Sequence, residues 1–167
     1  MKATITSLIF LLLSLTVSSQ TYKYIGIEEG LSNQKIYKIQ KDARGYMWFL
    51  THVGIDRYNG KEIKHYKLRE GNRELDPLLN INWTFLDKTG TLLVTGKQGR
   101  IFRYDSGHDR FVQIYNMYNY WNKDYHAFVR YSYIDQEDNV WLCGKSAIHL
   151  FNIESGHCLL YTSDAAD

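Results

Sequence analysis

Three stretches of this chain repeat one pattern of turn residues and large apolar residues, and a fixed period restricts architecture more tightly than composition can. The first runs Asp42-Ala-Arg-Gly45-Tyr-Met-Trp48 and continues through Gly54-Ile-Asp-Arg-Tyr58. The second runs Asp87-Lys-Thr-Gly90-Thr-Leu-Leu93, followed by Gly99-Arg-Ile-Phe-Arg-Tyr104. The third runs Asp135-Gln-Glu-Asp138-Asn-Val-Trp141, followed by Ala147-Ile-His-Leu-Phe151. Their opening aspartates lie 45 and then 48 positions apart.

That period accommodates four short strands with their turns, the size of one β-propeller blade. In the first unit the expected strands are 36–41, 46–50, 55–59 and 62–67. An Asp-x-x-Gly joint suits a tight hairpin, because the carboxylate caps backbone N–H groups two residues on and glycine tolerates positive φ. The third unit replaces that glycine by Asp138 followed by Asn139, the next most tolerant types. Trp48, Leu93 and Trp141 occupy one repeat position, and recurrence there points to packing in the wedge between neighbouring blades rather than to ligand stacking. Tyr58, Tyr104 and Phe151 close the third strand in a common register and read as packing too. Aromatic residues make up 15% of the chain and proline occurs once, a balance that favours pleated, half-buried strands. The expected class is all-β: an incomplete propeller of about three four-stranded blades after a signal peptide.

Both termini call for separate treatment. Lys2, the apolar run Leu8 to Val17 and the small residues Val17-Ser18-Ser19 have the form of a cleaved secretory leader, residues 1–19, with the mature chain starting at Gln20. The apolar run is about half the ~20 residues that span a bilayer. The last ten residues, 158–167, resemble the translated read-through of a sequencing adapter and are set aside as a non-native tail, with the chain's own continuation expected beyond His157. Cys158 falls in that tail, which leaves Cys143 without a disulfide partner.

Gly30-Leu31-Ser32-Asn33, Ile36-Tyr37-Lys38-Ile39-Gln40-Lys41-Asp42, Gly45-Tyr-Met-Trp48-Phe-Leu-Thr51 and Gly54-Ile-Asp-Arg-Tyr58-Asn-Gly60 closely resemble the first repeat of two-component-regulator propellers. The resemblance is strong over residues 24–68 and looser to about residue 156. Departures are Leu93 in place of the usual tryptophan, one extra residue between Gly99 and Tyr104, and Ala147 in place of glycine. The resemblance implies a periplasmic sensor, residues 20–157 being its first propeller repeats. A downstream membrane helix and a cytoplasmic output would follow, frequently a hybrid histidine kinase controlling glycan-utilisation genes. It also implies a homodimer, and an oligosaccharide or other small periplasmic ligand.

The chemistry-bearing residues add little to that. Histidines 52, 65, 108, 126, 149 and 157 have no metal-ligand spacing, and there is no Gly-rich phosphate loop or nucleophile elbow, so no catalytic residue, metal or cofactor is assigned. A formal net charge of +2 gives no electrostatic footprint for nucleic acid. One segment stands apart: Tyr115 to Ala127 is rich in aromatic and amide side chains, and Tyr118, Tyr120 and Trp121 are its candidate sugar-binding residues. Two rival readings stay open. They are an exported propeller hydrolase or lyase, which would need convergent acid and base residues on one face, and a periplasmic scaffold without a kinase.

Overall fold

The computed structural model describes residues 22–119, 128–145 and 147–162. Three four-stranded antiparallel sheets follow one another along the chain. Blade 1 contains β1 (Ile36–Lys41), β2 (Met47–Thr51), β3 (Ile55–Tyr58) and β4 (Ile63–Tyr66). Blade 2 contains β7 (Trp83–Leu86), β8 (Leu92–Thr95), β9 (Arg100–Asp105) and β10 (Arg110–Asn116). Blade 3 contains β11 (Tyr131–Ile134), β12 (Asn139–Cys143), β13 (Ala147–Asn152) and β14 (Cys158–Thr162). In each sheet the strands pair in chain order, and the first strands, β1, β7 and β11, approach one another along the inner side. This is the blade architecture of a propeller.

The hairpin between the first and second strands is built alike in all three blades. Asp42 Oδ1 accepts from the Arg44 and Tyr46 N–H groups, Asp87 Oδ1 from Thr89 and Thr91, and Asp135 Oδ1 from Glu137 and Asn139. Gly45 and Gly90 take φ of +87° and +73° at the closing position, and Asp138 adopts the same region at +59°. An aspartate is among the few side chains that accept that backbone at modest cost, so the turn persists without glycine.

Alternation along each pleated strand divides the side chains between the two faces of its sheet. Trp48, Leu50, Ile55 and Tyr66 of blade 1 meet Leu92, Val94, Phe102, Tyr104 and Phe111 of blade 2 in one buried cluster. Leu93, Ile101 and Tyr115 of blade 2 meet Val140, Leu142 and Phe151 of blade 3 in a second. The Trp48/Leu93 position therefore faces the following blade, and the Tyr104/Phe151 position faces the preceding one. End effects follow directly. Among the described residues no blade packs on the face of Tyr58, which is half-buried, donating to the Gly60 carbonyl and accepting from Lys23. Trp141 points away from blade 2, stacks on Tyr161 with the ring planes 13° apart, and shares its face with the exposed Tyr131 and Tyr133.

Three features lie outside the repeat pattern. The β4–β7 connection carries a two-stranded hairpin, β5 (Arg69–Glu70) and β6 (Arg73–Glu74), turning at Gly71. It also carries one helical turn, α1 (Pro77–Asn80), which Asp76 caps through the Leu78 N–H with Pro77 in its first turn. The third is β14, which extends blade 3 past His157 to Thr162 and so uses residues that the sequence reading set aside. Backbone pairing demands little of side chains, and Leu159, Leu160 and Tyr161 are all exposed, whereas the fourth strands of blades 1 and 2 bury Tyr66, Phe111 and Tyr115. Cys143 and Cys158 are both free thiols.

His149 of β13 lies 1% exposed against the second core, its Nδ1 3.1 Å from the Tyr115 hydroxyl, and burial lowers its pKa to about 4. An unfolded histidine takes its proton near pH 6.5, so acidification charges the unfolded chain first. The stability contributed by neutral His149 is complete above about pH 6.5 and is lost as pH falls towards 4. Urea midpoints should therefore drop between pH 7 and pH 5, and His149→Gln should flatten that slope; an unchanged slope would contradict the assignment.

Candidate functional site

Antiparallel chain order sorts the loops onto two ends of the blades. One end carries the Asp-x-x-Gly hairpins together with the β3–β4, β9–β10 and β13–β14 turns. The other carries the β2–β3, β8–β9 and β12–β13 turns and both connections between blades.

On the first end, the repeat aspartates also hold the tryptophans. Trp48 Nε1 donates to Asp42 Oδ2 at 2.8 Å, and Trp141 Nε1 donates to Asp135 Oδ2 at 3.0 Å. Burial opposes ionisation of Asp135, but the bonds from Trp141 and Asn139 outweigh it and bring the pKa down to about 2. In blade 2, where Leu93 has no indole, Arg103 of the neighbouring strand supplies a counter-charge, with Nη2 2.7 Å from Asp87 Oδ2. These bonds fix the wedge residues and give the aspartates structural roles.

Between blades 1 and 2 the β9–β10 turn delivers a carboxylate that sequence reading did not single out. Asp109, at φ +49°, accepts from Arg57 Nη1 (2.8 Å), the Tyr66 hydroxyl (2.6 Å) and the Tyr104 hydroxyl (2.5 Å) through Oδ1, and from Lys64 Nζ (2.5 Å) through Oδ2. Arg57 also bonds the Tyr104 hydroxyl and lies over the rings of Tyr46, Trp48, Tyr66 and Tyr104 at 4.6–5.6 Å. Burial alone would raise the Asp109 pKa, yet the donors from Lys64, Tyr104 and Tyr66 and the charge of Arg57 hold it well below the ordinary carboxylate range. Burial, reinforced by the bond to Asp109, pushes the Tyr66 and Tyr104 phenols up. The only sequence signal for this hub is a lone acid in a Ser-Gly-His-Asp turn.

The second end carries a small cleft edged by exposed rings and lysines. A cleft of about 150 Å³ opens between the β2–β3 turn and α1, lined in part by Tyr37, His52, Leu78, Asn82 and Lys97. Tyr37 is 53% exposed and its hydroxyl lies 2.7 Å from His52 Nδ1. The Lys35 ammonium stands 5.2 Å from the centre of the Tyr37 ring, and that of Lys97 stands 5.8 Å from the Phe128 ring. A larger cleft of about 610 Å³ lies on the outer rim beside Lys64, Arg69, Glu70 and Asp109, but most of its charges are matched within the protein.

Of the three sugar-binding candidates, Tyr118 lies in the short 3-10 turn 117–119, 43% exposed, with the Arg100 guanidinium 5.9 Å from its ring. Arg100 in turn donates to Asn80 of α1, and neither these two residues nor Tyr118 lines the cleft. Tyr120 and Trp121 lie outside the described residues. Gly54 approaches the Tyr66 carbonyl so closely that a Cβ would stand 3.0 Å from it, and Gly99 takes φ +70° against Met117; both shape the blade rather than bind. The Gly30-Leu31-Ser32-Asn33 motif clamps the entering chain: Leu31 is buried, the Ser32 N–H and hydroxyl both donate to buried Asp56 at 2.8 Å, and Asn33 Oδ1 accepts from the Lys35 N–H. Among the described residues, no helix is long and apolar enough to cross a membrane.

Residues 30–52 match the family model described as Two component regulator propeller. No curated protein matches the chain. Among solved structures, it is similar to the extracellular domain of BT3049 from B. thetaiotaomicron, described as a hybrid two component system, at 20% identity and a TM-score of 0.65 over 85% of this chain and 20% of that one. It is also similar to the extracellular domain of BT4673 from the same organism, described in one structure as a one component system and in another as a hybrid two component system. There the identities are 16% and 17%, with TM-scores of 0.66 and 0.65, over 91% and 89% of this chain. The chain spans about a fifth of the length of these structures.

Proposed function

We propose that this chain, a propeller segment carrying a two-component-regulator repeat, is the first part of a periplasmic sensor exported by cleavage of residues 1–19. Its role is to present a loop face to a small saccharide. In the complete protein, a homodimer, ligand occupancy biases the arrangement of the propellers, and a membrane helix passes that bias to a kinase output governing glycan-utilisation genes. Such a device works only if the ligand binds one arrangement more tightly than the other. The observation that carries the reading is the family match at residues 30–52 on a fold shared with extracellular domains of signalling proteins. The recognition residues assigned to the face are Tyr118, Tyr120 and Trp121, whose rings and flanking amides suit sugar faces and hydroxyls.

A thermal-shift screen of the chain against neutral and acidic oligosaccharides tests this. At least one sugar should raise the melting temperature by several degrees, and replacing all three aromatics with Ala should remove that gain while leaving the ligand-free melting point within about 2 °C. A sugar-dependent shift that survives the triple replacement would overturn the residue assignment, and no shift with any sugar would overturn the sugar reading.

A further inference from the structure

The geometry points to a second, distinct element of recognition: the cleft between the β2–β3 turn and α1 takes the acidic group of a carboxylate-bearing sugar, with Lys97 of its lining as the cationic contact and Lys35 adding positive charge beside Tyr37. This inference rests on the saccharide reading above and names the class of sugar.

Several basic side chains are already paired within the protein. Along the blade rims, cations meet carboxylates: Lys64 and Arg57 on Asp109, Lys67 on Glu74, Arg73 on Glu70, Lys88 on Glu154 and Arg103 on Asp87. Among the described residues Lys23, Lys35, Lys38 and Lys97 form no ion pair, and each ammonium stands over an aromatic ring instead. Lys23 and Lys38 also donate to the Tyr58 hydroxyl and the Thr84 carbonyl; of the other two, Lys97 lines the cleft and Lys35 stands over the ring of Tyr37, which lines it as well. Among the described residues no carboxylate lines the cleft; the nearest described acid in sequence, Asp76, is committed to capping α1. An anion entering here meets positive charge without having to displace an internal partner.

The remaining lining suits a sugar ring rather than a bare ion. Tyr37 offers a half-exposed face whose orientation is held by the bond between its hydroxyl and His52 Nδ1. The Asn82 side chain is half-buried at the cleft wall and makes no side-chain bond among the described residues, and its amide can both donate to and accept from hydroxyls. Leu78 supplies apolar surface for the C–H face of a pyranose. At about 150 Å³ the cleft is smaller than the ~300–1,000 Å³ of sites that enclose larger ligands, which fits one terminal residue of an oligosaccharide with the rest of the chain outside.

The test titrates the chain, at concentrations where light scattering reports a monomer, with D-glucuronate, D-glucose and the non-sugar dicarboxylate succinate. Glucuronate should bind at least tenfold more tightly than glucose, weaken as salt rises, lose about tenfold on Lys97→Ala and recover largely with Lys97→Arg. Equal binding of glucuronate and glucose, or glucuronate binding indifferent to Lys97→Ala, would overturn the acidic assignment while leaving a sugar sensor intact. Succinate binding that depends on Lys97, with no response to either sugar, would support the anion site and overturn the saccharide reading. Absence of binding by all three would overturn the inference.

Discussion

Replacing Trp48 with Ala should destabilise the chain by about 3–5 kcal/mol, the usual cost of emptying a large aromatic from a packed core. The indole is 1% exposed, with ring centres of Tyr104, Tyr66 and Phe111 at 4.8, 5.4 and 5.6 Å, two of those contacts near edge-on. Its removal leaves a void that sheet-bound neighbours cannot close, and it strips Asp42 Oδ2 of the indole donor. Trp141 provides the control. It occupies the same repeat position and keeps the same aspartate bond, but no blade covers its face among the described residues. Trp141→Ala should cost about 1 kcal/mol or less, since only half-exposed area and one hydrogen bond are at stake. Denaturant titration of the two variants checks the contrast; equal losses would mean that the shared position is not an interface between blades.

Asp109→Ala should be the most damaging loss of a charge. Four donors converge on that carboxylate, and its removal leaves the Arg57 guanidinium enclosed by four rings without a counter-charge. Breaking a fully buried pair costs about 3–5 kcal/mol; Asp109 is 38% exposed, and solvent screening reduces the expected loss to about 1–3 kcal/mol. The pH dependence gives an independent readout. Because the folded carboxyl is held below its ordinary value, falling pH protonates the unfolded chain first; the contribution is complete above about pH 4 and disappears as pH drops further. Asp109→Asn should remove that part of the acid sensitivity, and an unaltered acid limb would refute the role given to the hub.

Much of blade 1 was legible before any coordinates: β1 coincides with the expected strand, and the other three differ by one residue at their ends. Such agreement is understandable, since strand pleat and Asp-x-x-Gly turn chemistry act over only a few residues. The indole bond of the repeat aspartates escaped notice because it joins residues six apart around a hairpin, in a direction that only the closed turn defines. The rim hairpin and α1 escaped because they interrupt the period instead of obeying it.

Local pattern thus determined that there are blades, where their strands turn and which residues share a face. Whether a face is covered was decided by neighbours about 45 residues away, which is why Trp48 is core and Trp141 only half-buried although their flanking sequences are alike. The same holds for charge: Asp109 meets Arg57 across 52 positions, and Tyr37, His52, Asn82 and Lys97 line one cleft only because adjacent blades pack side by side. Burial and electrostatics depend on distance in space, and the chain's order carries that distance only over the span of a single turn.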